Sequence, residues 1–265
     1  MEPVYSSVIG FARALFAAEG LNFRVTGSEH IPAEGGAVIV MNHLSYLDFA
    51  YAGLVSLPSG RLIRFMCKDT IFDHPVAGPL MRGMKHIPVD RESGSASFRA
   101  ALKALKAGEL VGVFPEATIS RSFELKDFKS GAVRMAQAAR VPIIPVVLWG
   151  SQRVWTKGHP KRLGRSNIPI SLDAGAPILV PRGENPEEVL AALRGRMTEM
   201  LHTAQRAYPT VPWEERAFVP ARLGGTAPTL EEATALDLEE ARMRRQRRAA
   251  QQPSGEDPAE VAGQL

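Results

Sequence analysis

The sequence predicts an α/β fold: a largely parallel β-sheet of about six or seven strands, flanked by helices and preceded by an N-terminal amphipathic helix. Two observations lead there. Short, continuous apolar runs alternate with stretches of helical period between residues 22 and 178. Strands that alternate with helices are joined by crossovers, which lay the strands parallel. A third observation fixes the scale. The 265 residues are 45% hydrophobic and 23% charged, an ordinary globular composition and long enough to bury a full core.

The elements follow in chain order. Residues 1–20 carry two apolar stripes at helical spacing, Val4, Val8, Phe11 and Leu15 beside Tyr5, Ile9, Ala12 and Phe16. Such a face either packs on the body of the protein or lies in a membrane interface. FRVTG (23–27), AVIVM (37–41), IRFMC (63–67), HIPV (86–89), LVGVF (110–114), IIPVVLW (143–149) and ISL (170–172) read as strands. Residues 47–56, 75–84, 95–108 and 130–140 read as the intervening helices. The third of these places Phe98, Leu102 and Leu105 on one face and ends at Gly108, a C-cap signal. A long helix over 186–208 aligns Val189, Leu193, Met197 and Leu201.

Residues 221–265 have few large apolar side chains and read as a largely disordered charged tail, with one isolated helix near 229–250. That divides the chain into a helix (1–20), an α/β domain (21–220) and the tail. The tail holds six Arg against eight Asp and Glu, so the net charge of +4 leaves +6 on residues 1–220. A basic body suits an anionic membrane or a phosphorylated substrate as well as nucleic acid. The run MRRQRR reads as a solvated helix face paired with the preceding EE.

Cys67 is the single cysteine, which excludes an intramolecular disulfide and a cysteine-based zinc site. Its expected use is as a small buried apolar residue in a reducing compartment. The N-terminal stretch lacks the basic region of a signal peptide, and no uncharged run reaches the ~18 residues of a spanning helix.

Chemistry concentrates at the end of the AVIVM strand, in Asn42-His43-Leu44-Ser45-Tyr46-Leu47-Asp48. His43 falls in the strand-exit loop and Asp48 in the first turn of the next helix. A chain turning there can return the carboxylate to the imidazole and leave the other ring nitrogen to take a proton from a hydroxyl. The spacing alone is a weak signal, because a surface histidine near a helix start looks the same. Three further segments sharpen it. HIPVDR ends in Arg91 after a strand, FPEATIS (114–120) puts Glu116 in a strand exit, and VPIIPV (141–146) opens the next strand. In open α/β sheets such exits are where sites gather.

In order and spacing, NHLSYLD, HIPVDR, FPEATIS and VPIIPV resemble the blocks of the glycerolipid acyltransferase family, the 1-acylglycerol-3-phosphate acyltransferases and their relatives. FMCKD (65–69) and FKSGA (128–132) are similar to two further segments of that family. The resemblance covers residues 36–150 well and the chain to about 175 more weakly. It implies His43 as general base on a glycerol hydroxyl and Asp48 as its orienting partner. Lys68 and Arg91 would hold the acceptor's phosphate, and Glu116 and Thr118 would help order the acceptor site. It further implies lysophosphatidate and an acyl thioester, on coenzyme A or acyl carrier protein, as substrates. No metal, no other cofactor and no nucleic acid is expected. The place of work would be the cytoplasmic face of the plasma membrane, peripherally.

Two residues depart from the family's FPEGTRS. Ala117 replaces its glycine and Ile119 its arginine. If that arginine meets phosphate, the task passes to Arg121, Lys126 or Lys129, or the acceptor is another lysophospholipid or a glycolipid. Ala117 is expected to fit because its backbone keeps a negative φ. A reading of another class, a non-catalytic basic module binding lipid or nucleic acid, leaves the ordered blocks unexplained.

Overall fold

The computed structural model describes residues 2–90 and 94–251. Its seven strands are β1 (Asn22–Thr26), β2 (Ala37–Met41), β3 (Ile63–Lys68), β4 (Ile87–Val89), β5 (Leu110–Val113), β6 (Ile143–Trp149) and β7 (Pro169–Ala174). They form one sheet in the order β1-β7-β6-β2-β5-β3-β4. Every pairing is parallel except β6 with β7, which is antiparallel. The helices are α1 (Pro3–Ala18), α2 (Asp48–Ala52), α3 (Ala77–Gly83), α4 (Gly94–Lys106), α5 (Gly131–Ala139), α6 (Pro186–Ala207) and α7 (Leu230–Gln251).

β2 is buried at all five positions, which is why its sequence is continuously apolar rather than alternating. The strand period of two still sorts its side chains. Val38 and Val40 join the core under α4, α5 and α6, while Ala37, Ile39 and Met41 join the core under α1 and α2. The sheet is therefore covered on both faces. The expected helix over 47–56 is shorter: α2 stops at Ala52 and gives way to 3-10 turns over Gly53–Ser59, which contain Pro58. Beyond α4, Gly108 adopts φ 85 and its N–H bonds Leu105 O, as the capping signal predicts.

The two stripes of α1 differ: one packs on the body of the protein and the other is exposed. Tyr5 and Phe16 are buried; Phe16 packs its ring against Phe23 and Tyr51. Phe16 is thus a core residue, because its stripe meets β1 and α2. The other stripe leaves Phe11 71% and Leu15 43% exposed. Glu2 fixes the start of the helix by accepting from both terminal nitrogens of Arg64, at 2.8 and 2.7 Å.

The tail also departs from expectation. α7 matches the expected helix to within one residue at each end but is not isolated. Asp237 and Glu240 accept from Arg121, Lys126 and Lys157 of the α/β body. Apolar burial could not predict this, because charge rather than hydrophobic surface seats the helix. The expected pairing of the arginine run with the EE cluster is present as Arg244 on Glu240.

Candidate active site

The sheet order puts β2 between β5 and β6. The exits of these three parallel strands therefore adjoin, at the ~4.8 Å spacing of neighbouring strands. His43 leaves β2, Glu116 leaves β5 and Ser151 leaves β6. Asn42, fully buried, locks the first exit to the third: its amide donates to Leu148 O at 3.0 Å and accepts from Leu148 N at 2.7 Å. The turn into Ser151 uses Gly150 at φ 100, where a Cβ would lie 2.3 Å from Pro169 O.

His43 Nδ1 lies 3.0 Å from Asp48 Oδ2. The same oxygen accepts from Leu44 N at 2.6 Å and Ser45 N at 2.7 Å, and Asp48 Oδ1 accepts from Ser151 Oγ at 2.6 Å. Four donors thus fix a side chain that is itself fully buried. A carboxylate only accepts, so Nδ1 carries the proton and Nε2 keeps its lone pair. Phe114 stacks on the imidazole with centroids 4.3 Å apart. The histidine side chain remains 22% exposed, enough for a substrate hydroxyl to approach.

Glu116 is buried below this pair. Its Oε1 accepts from His43 N at 2.9 Å and its Oε2 from Lys126 N at 3.0 Å. It fixes the backbone of the base instead of capping a helix. Burial pushes its carboxyl up to about 7, against the two backbone N–H bonds that pull it down. Ser120 N closes the loop on His43 O at 2.8 Å, and Thr118 Oγ1 accepts from Lys126 Nζ at 2.6 Å.

Among the described residues, the serines beside His43 and the single cysteine are not poised as nucleophiles. Ser45 Oγ donates to Trp155 O and Ser120 Oγ to Glu124 O. Burial pushes the Cys67 thiol up to about 12, so it is no thiolate at neutral pH. The arrangement can deprotonate a bound hydroxyl and return the proton to a leaving group.

Of the residues singled out by sequence, His43, Asp48, Glu116 and Thr118 are brought together. Lys68 is not in that cluster. It ends β3, exposed, with β5 between it and β2, about 10 Å away by strand spacing. Arg91 lies outside the described residues. Ala117 has φ 59, not the expected negative value, so the glycine of the family's pattern reflects a real left-handed position. Ile119 is buried, and Lys129 is exposed. Sequence reasoning missed Ser151, Phe114 and Lys157. Phe114 sits in a recognised block, but only the packing reveals its stacking, and no sequence signal marks the other two.

Residues 22–149 match the Acyltransferase family. The chain is 34% identical over 142 residues to a 1-acyl-sn-glycerol-3-phosphate acyltransferase of Bacillus subtilis, covering 52% of this chain and 69% of that protein. It is 33% identical over 150 residues to a chloroplastic 1-acyl-sn-glycerol-3-phosphate acyltransferase of Arabidopsis thaliana, covering 55% of this chain but 41% of that protein. Among solved structures it is similar to PlsC, the 1-acyl-sn-glycerophosphate acyltransferase of Thermotoga maritima. The TM-score is 0.64 at 22% identity, covering 77% of this chain and 81% of the other, a likeness of fold.

Proposed function

Because the chain belongs to the 1-acylglycerol-3-phosphate acyltransferase family, we propose that it acylates the free hydroxyl of 1-acylglycerol-3-phosphate, giving phosphatidate for phospholipid biosynthesis. The observation that carries the reading is the His43–Asp48 pair, with Nδ1 committed to a buried carboxylate and Nε2 left as the acceptor. His43 Nε2 takes the hydroxyl proton as the oxygen attacks the thioester carbonyl. The tetrahedral intermediate expels the thiolate, which recovers the proton from the imidazolium. Asp48 stabilises that cation and fixes its ring. The donor is an acyl thioester of coenzyme A or of acyl carrier protein. On the family's pattern, Lys68 and Arg91 are among the cations that meet the acceptor's phosphate.

Both substrate and product are lipids, so the work is done at a membrane, peripherally and on its cytoplasmic face. Among the described residues no helix is long and apolar enough to cross a membrane. The outer stripe of α1, with Phe11 and Leu15, and the neighbouring Val76 and Leu80 at α3 offer exposed apolar surface for the interface. Phe11→Glu with Leu15→Glu should abolish sedimentation with anionic vesicles; unchanged sedimentation rejects this surface.

A second reading keeps the chemistry and alters the acceptor to another lysophospholipid or a glycolipid. It is favoured by Ile119, buried where the family carries arginine. One assay decides: purified protein, palmitoyl and oleoyl thioesters on each carrier, and a panel of lysolipids. Preference for lysophosphatidate supports the first reading. Preference for an acceptor without a free phosphate supports the second, and no transfer to any acceptor rejects both.

A further inference from the structure

Three cations converge beside the His43 loop, and the chain's own carboxylates occupy them. Asp237 accepts from Arg121 Nε at 3.4 Å, from Lys157 Nζ at 2.8 Å and from Lys126 Nζ. Glu240, one turn further along α7, accepts from Arg121 at 3.0 Å and pairs with Lys157 at 2.6 Å. All five side chains are a quarter exposed or less.

Each cation is tied to the backbone of the base. Lys126 N holds the Glu116 carboxylate that also holds His43 N. Ser120, next to Arg121, donates to His43 O. Thr156, next to Lys157, donates to Leu44 O at 2.6 Å. The cluster therefore borders the loop that presents the base. It supplies positive charge in the segment where Ile119 replaces the family's arginine.

α7 has little else to hold it. Among its described side chains only Ala233 is buried, while Leu236, Leu238 and Met243 are exposed. A helix seated by two carboxylates on three cations yields to an anion of equal charge. A phosphate monoester brings between one and a half and two negative charges, roughly what Asp237 and Glu240 bring together.

Resting on the acyl-transfer reading above, we infer that Arg121, Lys126 and Lys157 form a seat for the acceptor's phosphate monoester and that α7 occupies it as an intramolecular competitor. Asp237 and Glu240 leave the seat when the acceptor binds, so α7 sets the acceptor concentration at which the enzyme works.

Two measurements on the full chain test this. In the first, hydrogen exchange over residues 230–247 of the wild type is followed with glycerol 3-phosphate, with inorganic phosphate, and with chloride at matched ionic strength. Exchange should rise with glycerol 3-phosphate, at lower concentration than with inorganic phosphate, and stay unchanged in chloride. Unchanged exchange at saturating glycerol 3-phosphate, release by chloride alike, or release by inorganic phosphate only overturns the inference. In the second, Asp237→Asn with Glu240→Gln should lower KM for lysophosphatidate about fivefold or more at unchanged kcat. KM for lysophosphatidylcholine should not move, and Glu239→Gln on the exposed side of α7 should change neither. An equal fall for both acceptors, or none, overturns the inference. Should the double variant not fold, or the wild type transfer no acyl group, the exchange measurement alone decides. Phosphate-driven release without acyl transfer would reject the proposed function and keep the seat.

Discussion

At the exits of β2, β5 and β6, Asn42, Asp48, Glu116 and Ser151 are buried and paired; at the exit of β3, towards the sheet's edge, Lys68 stands exposed. The two regions meet different demands. A general base acts only from one ring orientation and one tautomer, so its supports must be over-determined. An exposed cation at the edge stays reachable for an incoming charged ligand. Substitutions of Asn42, His43, Asp48, Glu116 or Ser151 should therefore damage chemistry or stability, and those of reachable cations should change acceptor affinity.

The largest effect should come from the base. His43→Ala should preserve the fold and cut kcat by about 10²–10⁴-fold, the usual contribution of a positioned general base. Asp48→Asn should cost less but remain severe, because it disturbs the tautomer and the Leu44 and Ser45 N–H bonds together. Near-normal turnover by His43→Ala, in a thioester-release assay, would sink the mechanism. Neither variant nor the wild type should accumulate a covalent acyl-enzyme in mass spectra.

Glu116 tests the centre through pH. Its carboxyl is raised to about 7, above the 4.5 of an unburied glutamate. Between those values the folded chain holds a proton that the unfolded chain has lost. This group's contribution to stability therefore falls as pH rises from about 4.5 to 7, by up to about 3 kcal/mol. Glu116→Gln should flatten that part of the stability profile in denaturant titrations. An unchanged slope would mean that the carboxylate is held ionised by its two backbone donors.

The cations that the family's pattern assigns to the acceptor are tested by acceptor choice. Arg91→Ala should lower kcat/KM for lysophosphatidate by at least about tenfold, since charge-assisted hydrogen bonds are worth roughly 1.5–3 kcal/mol. Arg91→Lys should restore part of that, because only the bidentate fork is lost. Lys68→Ala, at an exposed strand end, should cost less than about threefold. Equal losses on lysophosphatidate and on an acceptor with a capped phosphate would make Arg91 structural.

The smallest effect should be Ala117→Gly. Relief of φ 59 at an alanine should stabilise the fold by about 0.5–1 kcal/mol, after the added freedom of the unfolded chain is set against it. Loss of stability, read from the unfolding midpoint, would mean that the alanine methyl packs more favourably than its backbone is strained.

The strands and most of the helices were legible in the residues, and the dyad was legible once its spacing was joined to the ordered blocks around it. Each is a local pattern: continuous apolar runs such as AVIVM, helical periods such as Phe98, Leu102 and Leu105, and a histidine and an aspartate five residues apart across one turn. What surrounds them emerges only from the packing of distant segments. Ser151 reaches Asp48 because β6 lies beside β2, and Lys68 stands apart because β5 intervenes. The left-handed backbone of Ala117 and the seating of α7 on Arg121, Lys126 and Lys157 likewise had no local sign. Periodicity encodes which face of an element is buried, but it carries no information about which neighbour covers that face. Neighbours are chosen by strand order and by charges that meet only after the chain has folded.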